Sequence, residues 1–359
     1  MWPTNAVTQR LHVQWPIIQA PMAGGATTPE LVAAVSEAGG LGSLGAGYMS
    51  GEQIRSAVRA IRQLTDKPFA VNLFIPEEVT GDMRPGENVR HLMNEARRRL
   101  GIPEDPEVGR FAEPFEEQMA AVLEEEVPVF SFTFGILEQR WMAELKRRGV
   151  TVIGTATTVR EGVALEASGV DLVVAQGSEA GGHRGSFLPD SPDNLIGLMA
   201  LVPQLADRLN IPVIAAGGIM DGRGIAAALA LGAEAVQVGT AFLVCTESGA
   251  HPLHKQAILE AGDDQTALTI AFSGKPARGV CNRFMREIAP YRDEVPPYPV
   301  QNALTRDIRQ AAAKQRERDY LSMWAGQGSG LSRQMDAGTL MRRLVEETEQ
   351  AMARFAGRT

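Results

Sequence analysis

The sequence has few cysteines and no long hydrophobic run. Its two cysteines, Cys245 and Cys281, cannot form a disulfide framework in a chain of 359 residues, and neither stands in a C-x-x-C pair that would suggest a metal site. The N-terminal segment lacks the basic region and apolar stretch of a secretory signal, and no apolar run is long enough to span a bilayer. These absences predict a cytoplasmic protein with no metal site and no membrane partner.

Positive charge is also scarce. The chain has 35 Lys and Arg residues against 43 Asp and Glu residues, which gives a net charge of −8. A nucleic-acid partner needs Lys and Arg clustered on one face to neutralise its phosphates, so we predict that the protein binds no nucleic acid. The hydrophobic fraction of 44% and the charged fraction of 22% are those of a globular protein that can bury a core.

What the chain does contain is a series of short apolar runs that alternate with helical patterns, as in repeated βα units. We interpret eight of these runs as strands: Pro16–Met22, Leu41–Gly47, Phe69–Phe74, Val127–Gly135, Thr151–Thr158, Asp171–Gly177, Ile211–Ile219 and Ala235–Leu243. The runs are almost continuously apolar, which is typical of parallel strands covered on both faces. Eight such strands predict a TIM (β/α)8 barrel, in the α/β class.

The helices between the strands carry start and stop signals. Thr28 is placed to cap a helix that begins at Pro29 and ends near Gly39. Asp221 is placed to cap another that ends before Gly232.

Two stretches interrupt this rhythm. Residues 75–126 are too long for a βα loop and are rich in Glu and Arg, so we predict a helical insertion there. Over a hundred residues follow the eighth strand, with helical patterns around Arg306–Trp324 and Leu340–Phe355. We therefore predict a barrel domain over residues 1–244 and a mostly helical domain over residues 245–359 near the barrel mouth, whose last helix could pack back on the barrel.

Glycines at the ends of the seventh and eighth strands predict a phosphate site, because barrels of this kind often bind phosphate there. The candidates lie in two segments: Gly217 and Gly218, then Gln237, Val238, Gly239 and Thr240. Glycine lets main-chain N–H groups approach an anion closely, and the Thr240 hydroxyl is a further donor. The alternative is that these glycines only make tight turns. Since no G-x-G-x-x-G follows an early strand, flavin mononucleotide (FMN) suits the site better than a Rossmann-bound dinucleotide.

Polar residues near the ends of other strands are candidates to contact the flavin ring. Asn72 and Gln176 each sit near the end of an apolar strand, where an amide must find partners, although neighbouring backbone could supply them. Met22 could line one face of the ring or fill a gap in the core.

His183 is the candidate catalytic residue. It stands in the glycine-rich loop Gly177–Gly185, where it could exchange a proton near neutral pH or bind an anion when charged. The other four histidines receive no role, and His251 with His254 lacks further metal ligands. Tyr298 could reach the pocket from the second domain, or could pack at the surface.

Four of these motifs together resemble the nitronate monooxygenase family over nearly the whole chain: Gln19–Gly24, Glu179–Gly185, Ala216–Gly224 and Gln237–Phe242. Two further segments, Ser273–Gly279 and Trp324–Gly328, resemble its nitronate-oxidising branch. The resemblance implies non-covalent FMN held by Asn72, Gln176, Gly181, Gly218 and Gln237–Thr240, with Met22 near the ring. It implies a detoxifying oxidation of alkyl nitronates, such as propionate 3-nitronate, by O2, with nitrite and a carbonyl compound as products.

In this resemblance His183 matches the family's active-site histidine. It would hold a nitronate anion electrostatically over the flavin, or act as general base towards a neutral nitroalkane. Some bacterial members carry a second tyrosine and a lysine after the tyrosine that Tyr298 matches, and the nearest positions here hold Asn302 and Arg306. Arg306 keeps a cation that could meet a carboxylate.

Two other functions remain open from the sequence. One is a flavin reductase that takes hydride from NAD(P)H, such as the enoyl-ACP reductase of the FabK type, which Glu247–Pro252 resembles, or an NADH:quinone reductase. The other is a flavin-binding protein without turnover.

Overall fold

The computed structural model describes residues 2–77, 83–188 and 194–356. Residues 355 and 356 are described by their backbone alone. Eight parallel strands form the centre of the structure. The central strands are β1 (Ile17–Gln19), β2 (Gly42–Gly45), β3 (Phe69–Phe74), β4 (Val129–Thr133), β5 (Thr151–Ala156), β6 (Leu172–Gln176), β8 (Val213–Ala216) and β9 (Ala235–Val238). A small antiparallel sheet joins β7 (Gly182–His183), β10 (Thr266–Thr269) and β11 (Ala277–Val280) in the order β10-β11-β7.

The central sheet closes on itself. Its strands pair in the order β1-β9-β8-β6-β5-β4-β3-β2, all in parallel. Between β1 and the start of β2, Leu41 N donates to Ile17 O (3.0 Å) and Gln19 N donates to Leu41 O (2.9 Å). These bonds complete the ring, so the predicted (β/α)8 barrel is confirmed.

Most of the predicted strands were too long at their C-terminal ends, although Phe69–Phe74 is a strand over the predicted range. The largest difference is at Ala235–Leu243, where the strand ends at Val238 and residues 240–243 form a short helix. The apolar run continues beyond the strand because Phe242 packs in the barrel core and Leu243 in a second hydrophobic cluster. Composition alone does not mark the point at which such a run leaves the sheet.

Helices surround the barrel and follow it in the sequence. They are α1 (Ala6–Leu11), α2 (Pro29–Glu37), α3 (Gly51–Leu64), α4 (Glu87–Arg99), α5 (Phe115–Glu124), α6 (Gln139–Arg147), α7 (Val159–Ser168), α8 (Leu198–Arg208), α9 (Gly222–Ala230), α10 (Thr240–Leu243), α11 (Pro252–Glu260), α12 (Arg283–Ile288), α13 (Val300–Leu304), α14 (Arg306–Gln315) and α15 (Ala337–Ala356). The predicted caps are present: Thr28 accepts from Leu31 N, and Asp221 accepts from the N–H groups that open α9. Among the described residues, no helix combines the length and apolar character needed to cross a bilayer.

The segments outside the barrel share a second hydrophobic cluster. Met93 of α4 packs in it with Phe272, Phe284 and Ile308, so part of the predicted insertion joins the C-terminal region. The helix α15 instead lies against α2 and α9, with Leu344 in the barrel cluster. The predicted boundary between the two domains, after residue 244, stays a prediction. The parts of the predicted insertion and domains at residues 1, 78–82, 189–193 and 357–359 lie outside the described residues.

Candidate active site

A cavity of about 700 Å³ opens at the C-terminal ends of the barrel strands. Nearly all the predicted site residues line it: Met22, Asn72, Gln176, Gly181, His183, Gly217, Gly218, Gln237, Gly239, Thr240, Tyr298 and Arg306. Val238 does not line it, because its side chain is fully buried in the barrel core and its carbonyl accepts from Ala20 N at 2.8 Å. The fold therefore gathers residues from the whole length of the chain into one cavity.

Glycines form one end of this cavity. Gly217 (φ 130°) and Gly218 (φ 68°), just after β8, adopt backbone conformations that side chains disfavour. A Cβ added to Gly239, just after β9, would lie 3.5 Å from Ala20 Cβ and 3.9 Å from the Met22 sulfur. Within the described residues, the N–H groups of Gly218 and Gly239 donate no hydrogen bond. Unpaired main-chain donors of this kind suit an anion.

Thr240 connects this end of the cavity to a segment noted in the sequence. Its hydroxyl oxygen accepts from Gly326 N at 3.0 Å, within Trp324–Gly328. The hydroxyl proton is not used by this bond, so Thr240 can donate to a ligand.

The two predicted amides are partly satisfied by the protein itself. Gln176 Nε2 donates to His183 O at 3.0 Å, and Gln176 Oε1 accepts from Gly185 N at 2.8 Å. Asn72 Nδ2 donates to Ser131 Oγ at 2.9 Å. The backbone partners considered for Gln176 from the sequence are therefore present. Its amide clamps both sides of the loop that carries His183.

The small antiparallel sheet determines the position of His183. His183 of β7 pairs with Ala277 of β11, which brings the Ser273–Gly279 segment beside it. His183 Nε2 lies 2.9 Å from Ser273 Oγ, and Ser273 Oγ donates to Lys275 O at 3.1 Å. Because the single hydroxyl proton is given to this carbonyl, we assign the proton of the His183–Ser273 bond to Nε2, which leaves Nδ1 as an acceptor.

Aromatic rings surround the imidazole. Ring centroids lie 5.6 Å from His183 for Trp324, 5.8 Å for Phe134, 6.0 Å for Tyr298 and 6.4 Å for Phe74. Phe134 has a left-handed backbone (φ 78°), which is strained for a bulky residue and is commonest at functional sites.

The surroundings lower the pKa of His183 to about 3, first by burial and then through the positive charges of Lys275 and Arg309. The imidazole is therefore neutral near pH 7. The expectation that a charged His183 binds an anion does not fit this environment. The cations that line the cavity are Arg306 and Arg309.

Sequence reasoning missed two cations, Lys275 and Arg309, whose charge acts on His183. Lys275 forms an ion pair with Glu77, and its Nζ lies 4.6 Å from the centroid of the Phe134 ring. Arg309 lines the cavity one helical turn after Arg306. The i, i+3 spacing on α14 was the available signal, since such residues share a helix face.

Other cavity residues also differ from expectation. The Tyr48 hydroxyl interacts with that of Tyr298, and burial raises the pKa of both. His251 caps α11 by accepting from Leu253 N at 3.3 Å. His254 Nε2 lies 2.8 Å from Trp324 O, and burial lowers the pKa of His254 to about 4. Both of these histidines line the cavity, although the sequence gave them no role.

Comparison with known proteins places this cavity in a family. A family model described as nitronate monooxygenase matches residues 5–347. A protein of Staphylococcus haemolyticus, named a probable nitronate monooxygenase, is 47% identical over 352 residues, which are 97% of this chain and 98% of that protein.

Solved structures agree with this assignment. Nitroalkane oxidase from Streptomyces ansochromogenes superposes with a TM-score of 0.89 at 41% identity, over 98% of this chain and 100% of that one. FabK from Thermotoga maritima follows with a TM-score of 0.79 at 33% identity, over 99% of each chain. With its barrel, its glycine-lined cavity and a family match over almost its whole length, the chain belongs to the nitronate monooxygenase family of oxidoreductases.

Proposed function

We propose that the protein uses FMN and O2 to oxidise alkyl nitronates, including propionate 3-nitronate, to carbonyl compounds and nitrite. The atoms balance when two nitronates and one O2 give two carbonyl products and two nitrite ions. The observation that carries the proposal is one cavity that brings together unpaired glycine N–H groups, His183 held by Ser273, and the cations Arg306 and Arg309. This arrangement suits a substrate that arrives already ionised.

The residues present fit FMN. The unpaired N–H groups of Gly218 and Gly239 and the Thr240 hydroxyl suit its phosphate. Asn72 and Gln176 line the cavity beyond this end and suit the polar edge of the ring. When bound, the flavin accepts electrons from the nitronate and passes them to O2.

The chain's own residues then bind and orient the substrate. Arg306, exposed at the mouth of the cavity, attracts an anionic substrate towards it. A nitronate has already lost its α-proton, so no general base is needed. A neutral nitroalkane needs one, and an imidazole with a pKa of about 3 is a weak base at neutral pH. We therefore propose a preference for nitronates over nitroalkanes.

The test is spectroscopic. The purified protein should carry a flavin that is released on denaturation and has the mass of FMN. Propionate 3-nitronate should bleach it without O2, and with O2 should give one nitrite per half O2 consumed. A colourless protein that does not take up FMN would contradict the proposal.

Because the chain is similar to FabK, a second candidate function is that of a reductase that takes hydride from NAD(P)H. Anaerobic NADH discriminates between the two, because prompt bleaching by NADH, with none by nitronate, would favour the reductase. Oxygen uptake on adding nitronate would exclude a flavin-binding protein without turnover.

A further inference from the structure

Arg309 is a cation in the cavity wall that has no anionic partner among the described residues. Its Nη2 donates to Asn302 O (2.6 Å) and to Asn302 Oδ1 (2.9 Å), and its Nε donates to Thr305 O (3.4 Å). All three acceptors are neutral. Within the described residues, Nη1 donates no hydrogen bond and no carboxylate lies within ion-pair distance of the guanidinium.

The nearest acidic residue on its own helix is already engaged. Asp307 accepts from Arg97 Nε at 2.8 Å and from Arg97 Nη2 at 3.3 Å, which ties α14 to α4. Burial lowers the pKa of Arg309, and so does the charge of Arg306. A desolvated cation held only by neutral groups gains more from an incoming anion than a solvated one does.

Arg309 lines the same cavity as His183 and Tyr48. Arg306, the cation noticed from the sequence, is exposed at the mouth. Its solvated side chain is weakly placed to select a ligand. Asn302 holds Arg309 by two hydrogen bonds, so the position is fixed before a ligand arrives.

We propose that Arg309 is the residue that selects nitronates with an acidic tail, by binding the carboxylate at the end of the substrate remote from the nitronate. This rests on the proposed function for the reaction itself. The Nη1 donors, which no described residue engages, are the ones left for the ligand, while Asn302 acts as the positioning residue. A nitronate and a carboxylate are both planar anions with two oxygens, so the substrate would carry one such group at each end.

The kinetic test compares two nitronates of equal carbon number in Arg309→Gln. One is propionate 3-nitronate and the other is propyl-1-nitronate, which lacks the carboxylate. We expect KM for propionate 3-nitronate to rise by about 10- to 100-fold, as for loss of one charge-assisted hydrogen bond, with kcat nearly unchanged. The kinetics of propyl-1-nitronate should change less than about threefold. Equal losses for both nitronates, or lost flavin, would overturn the proposal.

Lys314→Gln is the matched control. Lys314 is exposed on the same helix and does not line the cavity, so its loss removes the same charge without touching the ligand. If Arg309→Gln yields too little folded protein, Arg309→Lys carries the test. A lysine keeps the charge without the planar fork, so KM should rise several-fold for propionate 3-nitronate only. An unchanged ratio between the two nitronates in this variant would count against the proposal.

A binding measurement separates this inference from the proposed reaction. Succinate has an anionic group at each end, spaced like those of propionate 3-nitronate, whereas succinamide has none. Calorimetry should detect succinate but not succinamide, and succinate binding should be lost in Arg309→Gln and kept in Lys314→Gln. If no nitronate is oxidised but this pattern appears, the reaction is wrong and the anion site stands. If nitronates are oxidised and Arg309→Gln binds succinate normally, the anion site is wrong.

Discussion

Acidification should destabilise this protein through two partly buried histidines of the cavity wall. The folded-state pKa is about 3 for His183 and about 4 for His254, against 6.5 for an unperturbed imidazole. As the pH falls below 6.5, the unfolded chain takes up protons that the folded chain does not, so the free energy of unfolding decreases. The loss begins near pH 6.5 and continues until the pH reaches the folded-state values.

The magnitude follows from these values. A pH of 5 lies about 1.5 units below the unfolded-state pKa of each histidine and still above its folded-state pKa. Each therefore lowers the free energy of unfolding by roughly 2 kcal/mol relative to high pH, less what water in the cavity screens. Two histidines give about 4 kcal/mol, a large part of the 5–15 kcal/mol typical of a folded domain.

Urea unfolding at pH 7.5 and pH 5.0 measures this effect. His183→Gln and His254→Gln should each lose about 2 kcal/mol less than the parent between the two pH values. His91→Gln, at an exposed position on α4, is the control and should follow the parent. If His183→Gln loses as much as the parent, the imidazole is protonated in the folded protein and the reasoning on its neutrality fails.

Three further substitutions test the framework of the site. Gln176→Leu removes the two hydrogen bonds that hold the His183 loop, so turnover per bound flavin should fall at least about tenfold in a stopped-flow assay. An unchanged rate would show that these hydrogen bonds do not contribute to turnover. The buried Glu161 carboxylate accepts from Phe187 N at 2.7 Å and from Leu188 N at 3.2 Å, and Glu161→Gln puts an amide donor in its place. Urea unfolding should show that the free energy of unfolding falls by about 2–4 kcal/mol. The control Glu52→Gln, at an exposed position, should change it little. Gly218→Val forces a β-branched residue into φ 68°, with its Cβ 3.2 Å from that of Glu179, so the purified variant should lose most of its absorbance near 450 nm.

The barrel was predictable because its strands are buried on both faces. Such strands appear in the sequence as continuous apolar runs, and Phe69–Phe74 shows how well a run can mark its strand. The ends were less predictable, because loops at the barrel mouth are apolar as well. After β9 only Gly239 and Thr240 precede the apolar residues 241–243 of the next helix, so the apolar run extends past the strand. Local hydrogen bonding, which the sequence does not display, separates the two.

The candidate site was predictable where a local motif carried it. The glycines at 217 and 218 and His183 stand in motifs of a few residues, so their place in the cavity followed from the barrel. Lys275 could not be placed near His183 this way, because only the pairing of β7 with β11 brings it there, across more than 90 residues of chain. The neutrality of His183 depends on burial and on distant cations, and neither is written in its own segment.

The cations of the cavity influence both binding and proton transfer. Arg309 lines the cavity, where it attracts an anionic substrate. Burial, and after it the charges of Lys275 and Arg309, lower the pKa of His183, which makes it a poor base in the empty cavity. An anion beside them offsets part of their potential, so the pKa of His183 should rise when a nitronate binds. The imidazole thus becomes more basic only when an anion is present. A neutral nitroalkane needs a base, but it brings no negative charge that would raise the pKa of His183. The cavity therefore selects the ionised substrate even when both forms fit.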